Sequence, residues 1–226
     1  MTYRFALIPL LATILTANAF SQNYTLNLDL TFDTKYVFRG IQLGDDVIHP
    51  SIEFSQDDFY LGVWAAQPLE NRGWPEFWDD EVDFYGGYGW AIDDKTSLDV
   101  GAAYYYYPRG DSTFEPYLGL TREIQGIAAS VYLYRDLDLD TTTAEGAASY
   151  RVPVRGFASF DLKAFAGTVD ADSQGSYFYY GADVVLPFEL NDHATVSLGA
   201  HYSDHDIGNV VPDSHFHGSA SITIGF

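Results

Sequence analysis

Three sets of side chains could carry chemistry in this chain. The first is acidic with few counter-charges. Asp29, Asp33, Glu53, Glu81, Asp83, Asp99, Asp161 and Asp183 alternate with apolar neighbours, as do Lys35, Arg39, Arg151 and Lys163. A guanidinium confined among carboxylates pairs with one of them, because its planar fork matches two carboxylate oxygens. Arg39 with Glu81 or Asp83 would therefore either set the field of a pore constriction or brace a wall. The second set is aromatic: Tyr60, Trp64, Tyr85, Tyr105, Tyr107, Tyr117, Tyr132, Tyr134, Tyr177 and Tyr179 share the parity of the polar residues. Tyrosine faces stack on ring-shaped solutes while their hydroxyls form hydrogen bonds, and the same rings can equally fill a narrow interior. The third set is His201, His205, His215 and His217, with Asp204, Asp206 and Asp213 close by. Imidazole and carboxylate donors suit zinc, nickel or copper, and also serve as plain polar lining. His217 and Ser219 have the two-residue spacing of a base and a nucleophile on one strand. Their parity places them away from lipid, which opposes a barrel lipase or acyltransferase.

The elements that must position these groups are strands. At the chain end, Phe216, Ala220, Ile222, Ile224 and Phe226 alternate with His217, Ser219, Ser221, Thr223 and Gly225. That is a period-2 strand with one apolar and one polar face. Similar alternation begins at Tyr24 and recurs in twelve segments, with Tyr36 and Phe38 on the apolar face of the first. An even number lets an up-and-down barrel close with both chain ends on one side. The connections near 55–58, 93–95, 123–126, 153–156 and 187–193 are short. Those near 40–47, 67–80, 108–113, 136–143, 168–175 and 203–214 are longer and more acidic. This alternation of short and long connections predicts an all-β, closed antiparallel transmembrane barrel, with periplasmic turns and extracellular loops. A soluble barrel is the competing architecture, with the apolar face turned inward.

Composition narrows the function. The chain has 226 residues, 32 Asp+Glu against 11 Lys+Arg, and no cysteine. Nucleic acid is excluded as a partner on charge, and cysteine-ligated metals and disulfides on composition. No pattern asks for a cofactor. Arg4, the apolar run 5–15 and Ala17-Asn18-Ala19 read as a cleaved signal peptide over 1–19, leaving one barrel domain over 20–226.

Lys35-Tyr36-Val37-Phe38-Arg39-Gly40-Ile41 resembles the first block of the TorF-type porin family of bacterial outer-membrane β-barrels. Phe59–Ala65, Glu81–Tyr88, Asp99–Gly101 and Tyr104–Pro108 resemble its later blocks in order and spacing, while the loop 71–78 is particular to this sequence. The resemblance implies a small outer-membrane channel without catalytic residues. The expected function is passive diffusion of small solutes or cations, with cation preference from the acidic loops and lumen. A tyrosine-lined path for neutral ring-shaped solutes fits the same pattern. A non-conducting structural or adhesive barrel is the alternative. Expected partners are outer-membrane lipid, lipopolysaccharide and the barrel-assembly machinery, with Phe226 as the assembly signal.

Overall fold

A computed structural model describes residues 24–69, 80–154, 159–171, 175–208 and 212–226. The expected signal peptide, and Glu70, Glu76, Asp79 and Asp172 of the expected acidic loops, lie outside the described residues. The strands are β1 (Thr25–Phe38), β2 (Ile41–Gln56), β3 (Phe59–Pro68), β4 (Glu81–Asp93), β5 (Thr96–Tyr106) and β6 (Thr113–Ile124). They continue as β7 (Ile127–Asp136), β8 (Thr141–Pro153), β9 (Ser159–Ala171), β10 (Gly175–Asn191), β11 (Ala194–His205) and β12 (Ser214–Gly225). Each pairs antiparallel with the next, and β12 closes on β1, so the sheet is a closed barrel. The closing seam runs from Asn27↔Gly225 to Asp33↔Ser219. Phe226 extends it: its N–H donates to the Leu26 carbonyl at 2.9 Å, and Leu26 N–H donates to the Phe226 carbonyl at 3.1 Å. The terminal residue thus takes part in barrel closure.

The pleat sends alternate side chains to opposite faces, and the apolar set points outward. Leu30, Leu61, Phe84, Leu118, Val131, Leu133, Leu198 and Ile222 are all exposed on the outer face. Tyr88 and Trp90, with ring centroids 4.6 Å apart, lie on the same face. Water does not tolerate so continuous an apolar exterior, whereas lipid does. The soluble-barrel alternative required the opposite orientation and is therefore excluded.

The strands run further than the alternation indicated, and the largest difference is functional. Residues 40–47 read as a loop, yet β2 begins at Ile41, directly after a two-residue turn at Arg39 and Gly40. Both residues have positive φ, 48° and 84°, the conformation of a type I′ hairpin turn. Among the described residues, β1 pairs with β12 only as far as Asp33. β2 pairs with β3 only from Val47 onward. Residues 34–46 therefore form a two-stranded arm held to the barrel at its base. An irregularity in register between Tyr36 and Val37 bends it. The bend turns the arm inward, so that Tyr36 and Val37, adjacent in sequence, are both buried. Tyr36, expected on the lipid face, instead packs inside the barrel.

Candidate functional site

The arm fills one side of the barrel mouth. Tyr36, Phe38 and Leu43 pack with Trp64 and Ala66 of β3 and with Ala103, Tyr105 and Tyr107 on and just beyond β5. Gly40 reaches the far wall, where a Cβ would lie 2.9 Å from the Tyr179 Cβ and 3.0 Å from the His205 Cβ. Only glycine can adopt that turn and approach so closely. The arm thus spans from the β3–β5 wall to the β10–β11 wall.

Arg39 latches this arm to a third wall. Its Nη1 and Nη2 donate to the two Glu115 oxygens at 2.8 and 2.9 Å, a bidentate pair between the β1–β2 turn and β6. The guanidinium also lies 5.0 Å from the Tyr134 ring centroid. Tyr105 donates to Glu115 Oε1 at 2.8 Å. This corrects the expected pairing of Arg39 with Glu81 or Asp83. Those two carboxylates are buried on the same inner face, but Glu81 accepts from Tyr36 at 2.8 Å and from Tyr107 at 3.2 Å. The turn geometry at Arg39 aims its side chain across the lumen toward β6, whereas Glu81 meets the flank of the arm. Glu115 lies at the start of β6, just before the apolar alternation of Pro116, Leu118 and Leu120. Its parity with Tyr117 is the signal that would have found it.

The aromatic set lies on the inner face as its parity indicated, and most of its hydroxyls donate to carboxylates. Tyr60 donates to Asp99 at 2.8 Å and also contacts the Tyr117 hydroxyl. Tyr85 donates to Glu53 at 3.0 Å, Tyr132 to Asp99 at 3.3 Å and Tyr179 to Glu145 at 2.7 Å. Tyr117, Tyr132 and Tyr134 form a cluster with centroids 5.7–6.2 Å apart, and Tyr177 adjoins Tyr179 at 6.2 Å. The Tyr132 ring lies flat over Gly119, where a Cβ would come within 2.1 Å of it. The rings therefore run along the wall, and the Tyr60, Tyr85, Tyr105, Tyr107, Tyr132 and Tyr179 phenols each donate to an acid. Such bonds orient the carboxylates on the lumen wall.

The four C-terminal histidines occupy two levels on β11 and β12. His201 and His217 face each other in register and stack at 4.8 Å. His205 and His215 lie nearer the loop end, at 6.2 Å. All four are buried. A fifth histidine, His49 on β2, went unnoticed although its parity matches Glu53. It stacks on Trp64 at 4.9 Å, and its Nε2 lies 3.3 Å from Asp33 Oδ2. Ser219 does not pair with His217 as the sequence spacing allowed. His201 Nε2 contacts Ser219 Oγ at 2.9 Å, and His201 Nδ1 contacts Asp183 Oδ1 at 2.8 Å. Ser, His and Asp thus form a line in the order of a nucleophile, base and orienting acid. It sits on the lumen wall, where the β10–β11 and β11–β12 ladders take up the surrounding backbone groups.

Residues 17–217 match a family described as "Bacterial protein of unknown function (Gcw_chp)". The chain belongs to that family. The matched segment includes the arm, Glu115 and all five lumen histidines, and ends just before Ser219. No curated protein is a significant match. Among solved structures, the KdgM porin in complex with disordered oligogalacturonate aligns at TM-score 0.62 and 8% identity, covering 89% of this chain and 99% of that one. The NanC porin aligns at TM-score 0.57 and 13% identity, over 88% and 98%. The translocator domain of the autotransporter NalP from Neisseria meningitidis aligns at TM-score 0.55 and 8% identity, over 100% and 95%. At these identities the likeness is one of fold: this family member has the barrel of outer-membrane porins.

Proposed function

We propose that this barrel is a narrow, cation-preferring channel of the bacterial outer membrane, constricted at its mouth by the arm at residues 34–46. The observation that carries the reading is the charge of the inner wall along the length of the barrel. Asp33, Glu53, Glu81, Asp83, Asp99, Glu115, Glu145 and Asp183 are all buried there. Arg39 is committed to one of them, Glu115. A confined acidic lumen concentrates cations and repels anions, because low-dielectric walls focus the field. The apolar exterior, the porin-like fold and the TorF-type blocks all support placement in an outer membrane. Phe226 at the closing seam supports its role as the signal read by the barrel-assembly machinery. Lipid and lipopolysaccharide are then its surroundings. The tyrosine rings along the wall suit neutral ring-shaped solutes, and the carboxylates beside them disfavour a sugar acid such as the oligogalacturonate bound by KdgM. We read the barrel as non-enzymatic.

One observation favours a second reading, a non-conducting structural or adhesive barrel. Tyr36, Tyr60, Tyr105, Tyr132, Tyr134 and Tyr179 are buried together with the arm, as expected of a filled interior. Reconstitution in a planar bilayer under a salt gradient separates the two. The channel reading expects small unitary conductance with a cation-selective reversal potential. Anion preference contradicts it, and silent bilayers containing folded barrel favour the second reading.

A further inference from the structure

We propose that Asp33, His201 and His217 form a binding site for one borderline divalent metal ion, such as zinc or nickel, on the lumen wall beneath the arm. The three side chains come from neighbouring strands β1, β11 and β12, at the point where the β1–β12 seam opens. Each can present one ligand atom, and these atoms lie within 4.8 Å of one another. Donors about 2.0–2.1 Å from a common tetrahedral ion sit ~3.3 Å apart, so small side-chain rotations complete the site. All three residues are more than nine-tenths buried. Both ring nitrogens of His217 and Oδ1 of Asp33 lack a hydrogen-bond partner among the described residues. Buried polar atoms are normally satisfied, so these point to an absent ligand.

The surroundings match a metal centre. Asp183 holds His201 Nδ1 at 2.8 Å, which directs Nε2 into the site. A carboxylate on the outer nitrogen of a ligating histidine fixes its ring and raises its basicity. His201 Nε2 contacts Ser219 Oγ, above Gly199, where a Cβ would lie 2.2 Å from that oxygen. Metal binding exchanges the serine contact for a coordinate bond. Two imidazoles with one carboxylate favour zinc, nickel or copper over calcium and magnesium, which prefer all-oxygen shells. Access is from the mouth, since Val37, Phe38, Arg39 and Gly40 of the arm line one cavity with Asp183 and His217. This site is narrower than the four-histidine set indicated by the sequence, because His205 and His215 occupy the other level.

Calorimetric titration of the refolded full-length barrel in detergent with zinc chloride tests the assignment. The expected result is one zinc per barrel. His217→Ala and Asp33→Asn should each weaken binding at least ~10-fold, and Asp183→Asn by ~10–100-fold. His215→Ala should bind as the parent does. Heat-modifiable electrophoretic mobility verifies folding of every variant, and His217→Gln replaces the alanine variant if that fails to fold. Cobalt should give ligand-field absorption bands that are lost in the His217 variant. No zinc binding by folded parent barrel, or loss in His215→Ala with retention in His217→Ala, overturns the proposal. Binding is read without a membrane, so a barrel that binds zinc but does not conduct would keep this site and retire the channel.

Discussion

Replacing Arg39 by alanine should loosen the arm and open the mouth. The Arg39 side chain is 10% exposed and that of Glu115 is 2% exposed, so their ion pair is nearly dry. Removing one member of a buried pair costs about 3–5 kcal/mol, chiefly by stranding the other charge. Glu115 keeps the Tyr105 hydroxyl at 2.8 Å, which places the cost near the lower bound. About 3 kcal/mol, at ~1.4 kcal/mol per decade, is on the order of a 100-fold shift from docked toward undocked arm. Packing of Tyr36, Phe38 and Leu43 remains, so the arm should open more often without leaving the barrel. Single-channel recording reads this as longer occupancy of higher-conductance states. A double-mutant cycle with Glu115→Gln isolates the pair: once Arg39 is gone, neutralising Glu115 should add little further opening. Matching conductance and gating in Arg39→Ala, Glu115→Gln and the parent would refute the latch.

Three further outcomes follow from the same geometry. Ile222→Lys puts a charge on the lipid face and should cost ~2–4 kcal/mol at mid-membrane, read as a lower denaturant midpoint or lost heat-modifiable mobility. Gly199→Ala should destabilise the barrel by ~1–3 kcal/mol, because its Cβ would sit 2.2 Å from Ser219 Oγ and 2.4 Å from His201 Nε2. Chemical denaturation matching the parent would show that the wall yields there. Cation selectivity should weaken as salt rises, since the screening length falls to about 10 Å at 0.1 M; selectivity constant from low to high salt would argue against a field set by the carboxylates.

Much of the barrel was legible because a period-2 pattern with one lipid face is a strong constraint. Leu118 and Leu120 against Tyr117 and Gly119 fix orientation without any structure. The inward tyrosines were legible for the same reason. The arm was not. It departs from alternation at Tyr36 and Val37, where an irregular register bends the strand, and parity carries no information across such a bend. Acidic residues Asp45 and Asp46 also made the outer part of β2 look like a loop. Partner choice was likewise hidden. Glu81, Asp83 and Glu115 all have inward parity, and only the turn at Arg39 selects among them. The Asp33–His201–His217 cluster needs the β1–β12 closure, which joins residues near opposite ends of the chain.

Whether the arm constricts a cation-preferring pore is read from the unitary conductance of a barrel lacking residues 37–42, the tip of the arm, compared with the parent barrel in the same bilayer. Val37 and Gln42 pair directly, so their removal shortens the hairpin without changing the twelve-strand wall. The shortened barrel should show a larger conductance that retains cation preference, because the arm narrows the lumen and the wall carboxylates set its selectivity. Unchanged conductance in the folded, shortened barrel, or a switch to anion preference, would contradict this reading.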